Sequence, residues 1–98
     1  MRSEEVTLVE IDWNQISSIG EFFDTALPQC QSPAWHGRNL NALQDSWVTG
    51  DINPKGPPYH FRFKRNPKQN EEMDRIRETV EKIARESVEE NGGIFETS

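Results

Sequence analysis

The chain has very few of the residues that support disulfides, metal sites or nucleophilic catalysis. It holds one cysteine, Cys30, and two histidines in 98 residues. A single cysteine cannot close an intramolecular disulfide, and residues 1–5 lead into only a short apolar run, which predicts a protein of the reducing cytoplasm. His36 and His60 have no second ligand at a spacing typical of metal sites. We therefore expect neither a metal nor a cofactor.

Long apolar runs and an excess of positive charge are also missing. Apolar residues make up 33% of the sequence, and no window approaches the roughly 20 apolar residues that a membrane-spanning helix needs. The 11 Lys and Arg residues against 17 Asp and Glu residues give a net charge of -6. Because affinity for a phosphate backbone comes from cationic side chains, this balance predicts no nucleic-acid partner and no membrane, and it favours a positively charged protein.

The order of the expected strands and helices predicts a single domain over residues 1–98, since the chain is long enough for one core and too short for two. Apolar spacing indicates a strand at 6–11, a helix from Ser18 that stops at Pro28, a helix over 39–47, a strand at 59–63, a long helix opened by Asn66-Pro67 and ended at 91–93, and a short strand at 94–95. Helical crossovers link strands that can pair in parallel. The predicted fold class is α/β, in two layers, with a three-stranded parallel sheet covered on one face.

Few positions suggest a chemical role from the residues alone. Asn41 and Asp45 are four residues apart on a helix and share one face, where a carboxylate can meet a cation of a partner or only water. Trp35 is either a binding anchor in its loop or a ring folded over the core. A nucleophilic pair of Cys30 and His36 is the enzymatic alternative, although free cysteines are usually buried apolar residues.

The run PAWHGRNLNALQDS at residues 33–46 resembles the signature segment of the barstar family, in which Pro and two aromatic-type residues precede Gly, a variable residue and Asn-Leu-x-Ala-Leu-x-Asp. The order of strands and helices suits that family over nearly the whole chain. The resemblance implies a barstar-like fold without enzymatic activity. It also implies a cytoplasmic inhibitor or immunity protein that occludes the active site of a basic secreted ribonuclease or related bacterial toxin. The alternative is a non-inhibitory module that binds a basic partner.

The same resemblance assigns the partner contacts to a loop and the second helix. Asp45 matches the acidic side chain that takes the place of the substrate phosphate. The other positions are the loop residues Trp35 and His36, the turn and helix start at Gly37 and Asn39, the helix contacts Asn41 and Gln44, and Glu86 as a further acidic contact.

Three departures from the family pattern predict a shifted choice of partner. Asn41 stands where the best-known member has an acidic residue, Gln44 stands where it has tryptophan, and the Gly/Pro-rich loop 50–58 is longer than the family type. We expect a monomer or a complex of one inhibitor with one toxin molecule. A dimer through exposed Tyr59 or Trp13 remains an open alternative.

Overall fold

The computed structural model describes residues 6–30, 32, 37–50 and 58–98. The elements in chain order are β1 (Thr7–Asp12), a 3-10 turn (Trp13–Gln15), α1 (Ile19–Gln29), α2 (Leu40–Gln44), a π-helical turn (Asp45–Thr49), β2 (Tyr59–Lys64), α3 (Glu71–Asn91) and β3 (Gly93–Thr97). Strand β2 lies between β1 and β3 and pairs in parallel with both. The predicted α/β class and three-stranded parallel sheet are confirmed.

The helix-facing side of the sheet is largely aromatic. Tyr59, Phe61 and Phe63 alternate along β2 and are fully buried. The parallel register places Val9 opposite Phe61 and Ile11 opposite Phe63, so both strands contribute to the same core. Each such side chain contributes about 1.5–3 kcal/mol when it is removed from water. This alternation is the period-two pattern from which the strand was predicted.

The opposite face of the sheet is open to solvent and charged. Arg62 of β2 lies between the carboxylates of Glu10 and Glu96, with nitrogen-to-oxygen distances of 3.2 and 3.6 Å, and His60 pairs with Glu96. Ion pairs this exposed contribute little to stability. The sheet thus has one apolar face and one wet face, as the sequence predicts.

The free edge of β1 is occupied by a side chain of α1. The Gln29 carboxamide accepts a hydrogen bond from the Glu10 backbone N–H at 2.7 Å and donates one to the Glu10 carbonyl at 2.8 Å. It also donates to the Thr25 carbonyl at 2.9 Å. Gln29 therefore supplies the donor and acceptor that a fourth strand would offer at this position.

Several predicted boundaries are wrong by a few residues. Helix α1 continues through Pro28 to Gln29, because a proline in the last turn removes only one backbone hydrogen bond. Helix α3 begins at Glu71 and not at Asn66-Pro67, since the Asn70 side chain caps it by accepting from the Met73 N–H at 2.8 Å. None of the described helices is long and apolar enough to cross a membrane.

A dimer through exposed Trp13 or Tyr59 is excluded because neither ring is exposed. Trp13 is fully buried and stacks on Phe22 with the ring centroids 5.5 Å apart. Tyr59 is also fully buried and packs against Trp47 and Phe61. Both residues belong to the core.

Candidate partner-binding surface

The segment at residues 37–50 begins with a tightly packed turn that starts α2. Asn39 is the N-cap, and its side-chain oxygen accepts a hydrogen bond from the Ala42 N–H at 2.8 Å. A Cβ atom at Gly37 would lie 3.0 Å from the side-chain Nδ2 of Asn39 and 3.1 Å from the Ala42 Cβ. Since such contacts are tighter than ordinary van der Waals packing, glycine fits this position best. Gly37 and Asn39 shape the backbone here.

Helix α2 and the following π-helical turn separate a buried side from an exposed one. Leu43 and Trp47 are fully buried, and Trp47 packs on Phe61 with ring centroids 4.7 Å apart. Exposed polar side chains occupy the other side of this short helix. They are Asn41, Gln44 and Asp45, called here the Asp45 face. Their spacing of three and four residues brings them together on one side.

The π-helical turn fixes the end of this segment. The Asp45 carbonyl accepts a hydrogen bond from the Gly50 N–H at 3.0 Å, which spans five residues. Gly50 has φ of 83°, in the left-handed region that glycine adopts without strain. This turn was not predicted, because the spacing of Leu43 and Trp47 also fits an ordinary α-helix.

The side chain of Asp45 is exposed to solvent. No salt bridge among the described residues engages Asp45 or Glu86. Glu86 lies half-buried on α3, the helix against which α2 and the π-helical turn pack. No hydrogen bond between described residues links Glu86 to the Asp45 face, so its inclusion in one surface stays a prediction.

The structure therefore brings together only part of the predicted site. Asn41, Gln44 and Asp45 share a face, and Gly37 and Asn39 form the turn that leads into it. The predicted contacts Trp35 and His36, together with residues 51–57 of the predicted specificity loop, lie outside the described residues.

Cys30 does not have the environment of a nucleophile. Its side chain is fully buried, and burial raises the pKa of the thiol to about 11, against smaller opposing effects of the neighbouring Trp47 and Tyr59 side chains. Because the thiolate is the reactive form, a raised pKa suppresses nucleophilic attack at neutral pH. Cys30 is thus a small core residue, and the enzymatic alternative loses its nucleophile.

Two residues that the sequence analysis did not single out hold this segment against the rest of the protein. Arg38 Nη2 donates to the Gly20 carbonyl at 2.9 Å and to Asp24 Oδ1 at 2.7 Å. Asn91 Nδ2 donates to the Val48 carbonyl at 2.8 Å. Both contacts join residues far apart in sequence, so no local spacing signals them.

The described residues contain no group of three or more His, Cys, Asp or Glu side chains that could hold a metal ion. A polar surface with an exposed carboxylate, such as the Asp45 face, is suited to contact with another macromolecule.

Comparison with known proteins identifies a family. No curated protein matches the chain. The family model described as Barstar (barnase inhibitor) matches residues 6–96, which is most of the sequence and includes β1, β2 and all but the last residue of β3. The matched range also contains the segment that carries the Asp45 face. The chain belongs to the barstar family.

Proposed function

We propose that this protein inhibits a basic ribonuclease, or a related toxin enzyme, by covering its active site with the Asp45 face. Support comes from the membership of the barstar family, the net charge of -6 and the exposed carboxylate of Asp45. Ribonuclease active sites collect cationic side chains because they bind phosphate. A carboxylate at that place competes with RNA by occupying those cations, and the mechanism requires no catalysis by the inhibitor.

The observation that carries the proposal is the position of Asp45. It is exposed at the junction of α2 and the π-helical turn. In sequence it lies two residues after Leu43 and two residues before Trp47, both of which are fully buried. Anchored neighbours hold the carboxylate in place before the partner arrives, which lowers the entropy cost of binding. We further propose a complex of one inhibitor with one enzyme molecule, formed in the cytoplasm.

The amide groups of Asn41 and Gln44 indicate what kind of active site fits. An amide donates and accepts hydrogen bonds but carries no charge, so the Asp45 face offers one negative charge among two neutral polar groups. Glu86 on α3 would add a second carboxylate if the partner reaches across α2. A partner matched to this face needs fewer cations at the contact than one matched to several carboxylates.

The test is a titration of the purified protein into an RNA-cleavage assay of a barnase-type ribonuclease. We expect stoichiometric inhibition by the native protein and a loss of at least about 2 kcal/mol of binding, about thirtyfold in Kd, for Asp45→Ala. That magnitude is borrowed from interface hot spots in general, among which an aspartate of a barstar-family inhibitor is a known example.

Glu72→Ala is the matched control. It also removes one exposed negative charge, but Glu72 lies near the start of α3. Asn91, whose side chain bonds the turn that begins at Asp45, lies about 28 Å away at the other end of that helix. Unchanged inhibition by this control shows that position, and not net charge, matters. Equal inhibition by the native protein and Asp45→Ala would contradict the proposed face. Binding without inhibition would support the non-inhibitory module instead.

A further inference from the structure

The segment that carries the Asp45 face is too short to be stable by itself. Helix α2 and the π-helical turn have five residues each, whereas isolated helices shorter than about 12 residues are marginal in water. The segment also forms no strand of the sheet. Its orientation must therefore come from contacts with other elements.

One such contact lies at the start of the segment. A single nitrogen of Arg38, Nη2, donates to the Gly20 carbonyl at 2.9 Å and to the Asp24 carboxylate at 2.7 Å. Gly20 and Asp24 both belong to α1. The ion pair with Asp24 is as exposed as those of Arg62, so the hydrogen bond to the Gly20 carbonyl is the contact that distinguishes Arg38. It joins the turn that precedes α2 to a helix that packs on β1. Arg38 adjoins Asn39, the residue that caps α2.

A second contact lies at the end of the segment. Asn91 is the last residue of α3, and its side-chain Nδ2 donates to the Val48 carbonyl at 2.8 Å. Val48 belongs to the π-helical turn that begins at Asp45. Carbonyl groups in the last turn of a helix lack partners within the helix. The Asn91 amide satisfies one of them and joins the turn to α3.

We infer that Arg38 and Asn91 are positioning residues that hold the Asp45 face in its binding geometry without belonging to it. This inference rests on the proposed function for its consequence in binding. The two contacts hold opposite ends of one segment and come from different helices. Without either contact, the segment adopts additional orientations in the free protein. Binding must then also order the segment, which weakens the affinity.

The first test measures amide hydrogen exchange in the free protein. The reporter groups are the Ala42, Leu43 and Gly50 N–H groups, which are bonded to Asn39 Oδ1, the Asn39 carbonyl and the Asp45 carbonyl. We expect exchange at Ala42 and Leu43 to accelerate about three- to tenfold in Arg38→Ala, and at Gly50 by a similar factor in Asn91→Ala. Arg38→Lys, which retains a cationic donor, is expected to restore part of the protection.

Arg62→Ala is the control, because it removes an exposed arginine and its ion pairs from the open face of the sheet. We expect no change in exchange at the three reporter amides. If Asn91→Ala does not fold, Asn91→Asp keeps the shape of the side chain and replaces the donor with an acceptor. Unchanged exchange at the reporter amides, or equal acceleration over the whole protein, would overturn the inference.

The second test measures the affinity (Kd) of each variant for the same barnase-type ribonuclease. We expect a three- to tenfold weaker Kd for Arg38→Ala and for Asn91→Ala, with an unchanged Kd for Arg62→Ala. Exchange that accelerates while every Kd stays unchanged would overturn the role in binding. The exchange experiment needs no ribonuclease. A failure of the native protein to inhibit would therefore refute the proposed function, while the reporter amides would still decide whether Arg38 and Asn91 hold the segment in place.

Discussion

Arg65 holds the buried carboxylate of Glu81 with two hydrogen bonds, from Nε at 3.1 Å and from Nη2 at 2.8 Å. The Glu81 side chain is only 3% exposed, whereas that of Arg65 is 47% exposed. Arg77 and Arg85 approach the same carboxylate at 3.2 and 3.7 Å. One buried negative charge thus fixes the end of β2 against the middle of α3.

We predict that Glu81→Gln lowers the free energy of unfolding by about 1–3 kcal/mol. Glutamine keeps the size of the side chain but removes the negative charge with which the guanidinium groups form ion pairs. Urea unfolding would measure the change. Glu78→Gln, at a side chain that is 69% exposed, is the matched control and should stay within about 0.5 kcal/mol of the native protein. Equal stabilities of the two variants would contradict the prediction.

The pH dependence of stability should show the same carboxylate. Burial acts to raise the pKa of Glu81, but hydrogen bonds and positive charges from Arg65 and Arg77 outweigh it and hold the pKa below the ordinary value of 4.5. The unfolded chain therefore binds the proton more readily, and stability falls as the pH drops below about 4.5. We expect this acid loss to be smaller in Glu81→Gln, as measured by urea unfolding from pH 7 to pH 3. Parallel profiles would show that Glu81 does not contribute.

Two neighbouring glycines offer a test of close packing. Gly92 and Gly93 have φ of 83° and 106°, but only at Gly93 would a Cβ atom meet other atoms, with three backbone atoms of Tyr59 within 3.2 Å. We predict that Gly92→Ala costs about 1 kcal/mol through backbone strain. Gly93→Ala should cost at least about 2 kcal/mol, because it also forces β3 away from β2. Thermal unfolding of the two variants would compare them, and equal Tm values would refute the packing argument.

The Gln29 contact predicts how the edge of β1 behaves. Gln29→Ala exposes the N–H and carbonyl groups of Glu10, and unpaired strand edges favour association. We expect the apparent mass of this variant in light scattering to rise with concentration, while Gln15→Ala, a change at an exposed glutamine outside the sheet, leaves it constant. A Gln29→Ala protein whose mass does not vary with concentration would show that this edge is protected by other means.

The Cys30 thiol should react only after unfolding. With a pKa of about 11, about one thiol in ten thousand is ionised at pH 7, and the side chain is fully buried. We predict that a disulfide reagent labels the protein at the rate of unfolding and immediately in strong denaturant. Rapid labelling of the native protein would refute the assignment of Cys30 to the core.

The fold could be predicted from the sequence because its signals are local. The alternation of Tyr59, Phe61 and Phe63 and the helical spacing after Met73 depend only on burial of one side of each element. Helical spacing was enough to place Asn41 and Asp45 on one face of a helix. Their role as partner contacts could be predicted only from the family pattern, since exposed polar residues at this spacing are equally typical of a solvated surface. Arg38 and Asn91 could not be found because each contacts a residue far away in sequence, and such contacts follow only from the packed helices.

The N-cap at Asn39 has a consequence for the evolution of this family. The side-chain oxygen of Asn39 caps α2, and the space around Gly37 leaves no room for a larger residue. These two motif residues therefore determine the backbone conformation. In the proposed function, the exposed Asn41, Gln44 and Asp45 carry the chemistry that is offered to a partner. Changes at those three codons leave the core untouched. If the proposed function holds, substitutions on this face can adapt the protein to a mutated or different partner enzyme without a loss of folding stability.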